Sequence, residues 1–152
     1  ARQLGKHQVG FSWSEVSRRY ITGIPEFHIP EEWRLRAEEV KQGSSEESHP
    51  ASEEFSEASN ELVSTSLAMY EGLLSSGVSP EQARILLPQN MYTTCVWTGT
   101  LLAWHTMTDQ RMEDHTQKET REYAKAIYDI MDEIFPHSWS ALKTYGNIFT
   151  GN

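Results

Sequence analysis

Leu62, Val63, Leu67, Tyr70, Leu73 and Leu74 recur at spacings of three and four residues, and Gly77 follows them. That period winds an apolar stripe along one side of an α-helix, and glycine is the residue that most readily ends one. The pattern predicts an amphipathic helix over residues 53–76, and the rest of the chain must offer a surface on which its stripe can be buried. A second stripe, Tyr123, Ile127, Ile130, Met131 and Ile134, stops at Phe135-Pro136, and Trp139, Leu142 and Tyr145 predict a last short helix. Between the two stripes, Ser79-Pro80-Glu81 starts a brief helix, with serine as N-cap and proline in the first turn, and Pro88 ends it. After Gly99 a further helix is predicted from about Thr100 to Met112.

The β signal is weaker. Met91-Tyr92-Thr93-Thr94-Cys95-Val96-Trp97-Thr98 is rich in β-branched and aromatic residues and predicts a strand. Residues 1–30 read as strand and loop with a short helix at the start, in which Pro25 and Pro30 frame Glu26-Phe27-His28-Ile29 as an extended piece. Glu31-Glu32-Trp33-Arg34-Leu35-Arg36 reads as a helical turn or two. Gly43-Ser44-Ser45-Glu46-Glu47-Ser48-His49-Pro50 reads as a solvated linker, so that 31–60 as a whole is an acidic surface excursion. With 152 residues, 38% of them hydrophobic, the chain has material for one core, and the expectation is a single helix-rich α+β domain with a small sheet.

A formal charge of -9 sets the whole-molecule field against phosphate, which argues against general binding to nucleic acid or to an anionic membrane. A phosphate ligand must therefore meet a local cluster of cations. No apolar run approaches the roughly 18 residues needed to span a bilayer. The single cysteine, Cys95, lies in an apolar stretch and reads as a core residue of a reducing compartment. A soluble, cytoplasmic protein is the expectation.

Several familiar chemistries can be set aside. Gly10-Phe11-Ser12-Trp13-Ser14 lacks the second glycine of a nucleophile elbow. The helical pair His115 and Glu119 has no third ligand near it in sequence, so no metal is assigned. No glycine-rich phosphate loop is present. What remains is a set of polar clusters with anion-binding composition: Arg2-Gln3, Lys6-His7-Gln8, Glu15-Val16-Ser17-Arg18-Arg19, then Arg84 and Arg111. Arginine presents a planar donor fork to phosphate, and serine hydroxyls and loop amides complete such a cage. From spacing alone, an anion site on Ser17 and Arg19 and plain surface charge are equally good readings.

Taken together, these blocks resemble the flavin-dependent thymidylate synthases. The resemblance is carried by Lys6-His7-Gln8, by Glu15-Val16-Ser17-Arg18-Arg19-Tyr20, by Gln82-Ala83-Arg84-Ile85-Leu86-Leu87-Pro88, and by Gln110-Arg111 ahead of Gln117 and Glu119, in the family's order over nearly the whole chain. It implies an α+β homotetramer with active sites between subunits, and a chain corresponding to the C-terminal two thirds of a family member. The implied reaction is methylation of dUMP to dTMP, with carbon from methylenetetrahydrofolate and a hydride from FAD that NADPH regenerates. By the same resemblance Gln3, Ser17 and Arg19, with Arg18 beside them, would hold the phosphate and sugar of dUMP. Arg84 would reach a neighbouring subunit's nucleotide, Glu15 would sit between substrate and flavin, and Lys6, His7 and Gln8 would face FAD. Arg111 would stabilise charge developing on the uracil ring, and because the family activates uracil by hydride chemistry on the cofactor, the resemblance implies no catalytic cysteine.

The chain also departs from the family pattern. Gln8 stands where the second arginine of an Arg-His-Arg triplet is expected, and Thr100, Leu102 and Thr106 stand where Asn, Arg and Asn are usual. The nucleotide side is thus closer to the pattern than the flavin side. A relative that binds a pyrimidine nucleotide without flavin, or a related uracil-nucleotide methylase or hydroxymethylase, stays open as the alternative.

Overall fold

A computed structural model describes residues 3–18, 20, 23–37 and 44–150, the last four of these by backbone alone. In chain order the elements are a 3-10 turn at Leu4–Lys6, β1 (Phe11–Glu15), β2 (Arg34–Arg36), β3 (Ser44–Ser48), α1 (Ser52–Ser75), α2 (Pro80–Ala83), a 3-10 turn at Arg84–Leu86, β4 (Cys95–Gly99), α3 (Leu101–Arg111), α4 (Lys118–Ile134) and α5 (Pro136–Thr150). The helix-rich α+β character matches the expectation, with the strands split into two two-stranded sheets, β1 with β4 and β2 with β3. None of the described helices is long and apolar enough to cross a membrane.

The chain forms two compact units. The first comprises Ala1–Ser14, Arg36–Ser44 and Val96–Asn152, and its body is α3, α4 and α5 packed on one another. Met107, Thr108, Ala124 and Trp139 are fully buried there, with Ala103, His105 and Thr120 nearly so. Trp139 is edge-on to both His105 and Tyr128, with ring centroids 5.6 Å apart in each pair. Truncating a tryptophan so placed costs about 3–5 kcal/mol. Gly146 lets α5 approach closely, since a Cβ there would stand 3.0 Å from His105 Cε1. Phe11 and Trp13 of β1 join Trp97 and Trp104 in a cluster with centroids 4.6–5.3 Å apart. A side chain at Gly99 would run into the Phe11 ring.

The second unit comprises Glu15–Leu35 and Ser45–Cys95. In it α1 and α2 pack with the turn Arg84–Leu86, burying Tyr70 and Ala83. Ser79 occupies the N-cap of α2, but its hydroxyl makes no capping bond. Its carbonyl instead accepts from Gln82 N at 3.0 Å and Ala83 N at 2.9 Å.

Four expectations are corrected here. In place of the helical turn expected over 31–36 there is the strand β2 at Arg34–Arg36, and the linker expected over 43–50 carries its partner β3 at Ser44–Ser48, with Gly43 outside the described residues. Backbone pairing is indifferent to side-chain polarity, and Trp33 supplies an anchor that the local charge pattern hides. Its indole N–H donates to Ser56 Oγ at 3.0 Å and its backbone N–H to Ser52 Oγ at 2.8 Å, both on the first turns of α1. Its carbonyl accepts from His49 N at 2.6 Å. The strand expected over 91–98 begins later, at Cys95, because Met91 is engaged in a bridge with Phe27. Cys95 itself is half-buried, and the short last helix is the 15-residue α5.

Candidate functional site

In the second unit, Glu15, Val16, Ser17 and Arg18 run off the end of β1 along a cavity of about 360 Å³ whose other wall is Arg84, Leu87 and 91–94. The volume falls in the range of small-molecule sites. The wall is built by backbone bonds: Val16 N donates to Thr94 O at 2.9 Å, Tyr92 N to Glu26 O at 2.8 Å and His28 N to Asn90 O at 2.8 Å. The extended piece expected between Pro25 and Pro30 is thus what holds Tyr92 in place, and His28 Nδ1 lies 3.2 Å from the Tyr92 hydroxyl. Thr93 Oγ1 donates to Glu15 Oε1 at 2.7 Å, which orients that carboxylate as an acceptor. Arg18 Nη1 donates to Gly23 O, and Arg84 Nε to Glu81 O at 3.4 Å. Two guanidinium groups, a carboxylate and a serine hydroxyl around one cavity suit a ligand with an anionic end and a hydroxylated middle.

In the first unit, Lys6, His7, Gln8, Val9 and Gly10 face Thr100, Leu102, Ala103, Thr106 and Gln110 of α3 and its cap across a cavity of about 380 Å³. Gly10 has φ 75°, and a Cβ there would lie 2.9 Å from Ala103 Cβ. Its carbonyl accepts from Thr100 N at 3.0 Å, pinning this stretch to the start of α3. Thr100 Oγ1 accepts from Ala103 N at 3.2 Å as the helix cap, and Thr106 Oγ1 donates to Leu102 O at 2.9 Å. At the other end of α3, Arg111 Nε donates to His7 Nε2 at 2.8 Å. Burial, and then the neighbouring Arg111 charge, hold the His7 imidazole below its ordinary value of 6.5, so the neutral ring is the acceptor. The buried Gln3 Oε1 has no hydrogen-bond partner among the described residues.

Glu15, Ser17, Arg18 and Arg84 are therefore gathered around one cavity of a single chain. Lys6, His7 and Gln8 share the other with Thr100, Leu102 and Thr106, and Arg111 reaches His7. Arg2 and Arg19 lie outside the described residues. His115 Nε2 pairs with Glu113 Oε2 at 2.9 Å on an exposed turn, and no cluster of metal-ligating side chains occurs among the described residues. Sequence reasoning passed over Tyr92 and Thr93, which read only as strand formers, and gave no role to Gln110, which entered only as part of the Gln110-Arg111 block.

The family model described as thymidylate synthase complementing protein matches residues 1–137. The chain belongs to this family. It is 37% identical to the flavin-dependent thymidylate synthase of Aquifex aeolicus over 86% of its own length, 34% identical to that of Thermus thermophilus over 95%, and 32% identical to that of Kosmotoga olearia over 99%. It spans 41%, 53% and 65% of those proteins, respectively. The fold is shared with a UMP/dUMP methylase, PolB from Streptomyces cacaoi, solved bound with 5-Br UMP. That likeness has a TM-score of 0.81 at 22% identity and covers 95% of this chain and 69% of that one. Membership in the thymidylate synthase complementing protein family places Lys6, His7 and Gln8, the Glu15–Arg19 run, Arg84 and Arg111 within the matched residues.

Proposed function

We propose that this chain serves flavin-dependent synthesis of thymidylate, methylating dUMP to dTMP with methylenetetrahydrofolate as carbon donor and NADPH as reductant. The observation that carries the reading is the convergence of Glu15, Ser17 and Arg18 with Arg84, from distant parts of the sequence, on one cavity. In this reading Ser17, Arg18 and Arg19 take the phosphate and sugar, Arg84 joins them from the other wall of the same chain's cavity in place of the neighbouring subunit's nucleotide expected from the resemblance, and Gln3 adds an amide. Glu15, held by Thr93, borders the base. Arg111 keeps a fixed positive charge against the uracil carbonyl and N3, where negative charge grows during the reaction, and does so without moving a proton.

The first unit's cavity fits a flavin in kind. Lys6 brings a cation, Gln8 and Gln110 bring amides, and Val9 and Leu102 bring apolar surface for a flat ring. When bound, the flavin supplies the hydride. The chain's own residues bind and orient it, and assembly as a homotetramer belongs to the same reading.

One observation favours a second reading, a relative that binds a pyrimidine nucleotide without flavin. The Thr100 and Thr106 hydroxyls are engaged by α3 itself, and Leu102 presents no polar atom. The described activity of the structural neighbour makes UMP a candidate ligand beside dUMP.

The test is to purify the protein, record its visible spectrum after incubation with FAD, and assay dTMP formation from dUMP, methylenetetrahydrofolate and NADPH. A yellow protein that forms dTMP is the expected result. A colourless protein that still binds dUMP or UMP overturns the synthase reading in favour of the second.

A further inference from the structure

The bond from Arg111 to His7 uses the nitrogen of the guanidinium that a substrate-binding arginine can most easily spare. Arginine offers one Nε–H and two Nη groups in a single rigid plane. Committing Nε–H to a fixed acceptor sets the orientation of that plane and leaves the Nη pair as the fork. We infer that His7 is a positioning residue for Arg111: its Nε2 accepts from Arg111 Nε at 2.8 Å and aims the guanidinium at the base. This inference rests on the proposed role of Arg111 at the uracil ring and gives His7 a task other than facing FAD.

The chemistry of the pair is self-consistent. Nε2 can accept only when it carries no proton, so the ring proton sits on Nδ1. Among the described residues the charge that acts on the ring is the Arg111 cation on α3, and Lys6, Gln8 and Gln110, a cation and two neutral amides, line the same cavity. A protonated His7 would lose the lone pair that holds Arg111 and would set two like charges in contact. The depressed basicity of the ring keeps it in the accepting form near neutral pH.

The experiment compares wild type with His7→Ala, which has no acceptor, and with His7→Gln, whose amide oxygen accepts at similar reach and does not titrate. A misaimed catalytic group costs up to about 10²-fold in rate. The expected results are a kcat for dUMP methylation lowered about 10- to 100-fold in His7→Ala with KM for dUMP little changed, and most of kcat regained in His7→Gln. The acid limb of the kcat–pH profile present in wild type is expected to vanish in His7→Gln. Nitrogen-15 spectra of the histidine-labelled wild-type protein should show His7 Nε2 unprotonated and hydrogen-bonded, a readout that needs neither turnover nor cofactor. A His7→Ala protein with wild-type kcat, or a spectrum with the proton on Nε2, overturns the assignment. If wild type forms no dTMP, the synthase reading falls, and the spectrum alone decides whether His7 holds Arg111.

Discussion

The two cavities are close in volume, about 360 and 380 Å³, yet they use their polar residues differently. Around the second unit's cavity, Glu15, Ser17 and Arg18 lie at and beyond a strand end, and Arg84 opens a short 3-10 turn. There the two arginines each give one N–H to a nearby carbonyl, Arg18 to Gly23 O and Arg84 to Glu81 O. Around the first unit's cavity, Thr100 and Thr106 lie on the cap and body of α3, where short hydroxyl side chains compete for backbone groups, and both are bonded there. Equal polarity in the sequence therefore does not mean equal capacity to hold a ligand: a guanidinium that gives one N–H to a carbonyl, as in Arg18 and Arg84, has further donors in its fork, whereas the single O–H of Thr106 is spent on Leu102 O.

Arg111 is the sharpest probe of this contrast, because it sits on the helix yet is held by a side chain from outside it. Arg111→Ala is expected to lower kcat for dUMP methylation by roughly 10²–10³-fold, the usual effect of removing one donor that stabilises developing negative charge. Arg111 is half-buried at the end of α3 and its recorded side-chain bond is to His7, outside the buried core, so the circular dichroism spectrum should stay unchanged. Unchanged turnover would remove Arg111 from the chemistry and leave the helix-borne set without a catalytic member.

Arg84 tests the loop-borne set. Losing a charge-assisted hydrogen bond of about 1.5–3 kcal/mol weakens binding about 10- to 100-fold, so calorimetry on Arg84→Ala should show dUMP affinity reduced to that extent while FAD binding is unaffected. Arg84→Lys should recover only part of it, since an ammonium cannot reproduce the bidentate fork. Equal loss of dUMP and FAD affinity would show that the two sets do not act separately. A smaller effect is expected from Thr93→Val, which keeps the shape and removes the donor to Glu15: about 1 kcal/mol, or roughly 5-fold in KM for dUMP. No change in KM would mean that Glu15 is oriented without Thr93.

Much of this arrangement was legible in the sequence, and the gaps have physical causes. The helices followed from apolar period, because burial of a stripe dominates their energetics, and α1 and α3 fell within a residue or two of their expected bounds. The cavity-lining residues stood out through the order of the family's blocks, because from spacing alone an anion site on Ser17 and Arg19 and plain surface charge are equally good readings. The ribbon of β2 and β3 was not, since its anchor is a single Trp33 bonded to serines of a later helix. Thr93 and the Arg111–His7 bond were hidden for the same reason: each joins residues far apart in the chain, and composition carries no information on which way a hydroxyl or an imidazole points.

The smallest expected effect concerns His7 and acid. Its folded-state basicity is depressed below the ordinary 6.5 by burial and by Arg111, so the unfolded chain takes up a proton at a higher pH than the folded one. Stability from this residue is then fully present above 6.5 and is lost as pH falls through the lower, folded-state value. Partial exposure of the ring keeps the contribution modest. Urea denaturation of wild type between about pH 7 and pH 5 should show a falling midpoint, and His7→Gln should show a smaller fall over the same range. Other titrating groups act on both proteins alike, so the difference isolates His7. A parallel fall in the two would mean that the ring is not held neutral by its surroundings, and that the helix-borne set is less tightly coupled than the 2.8 Å bond implies.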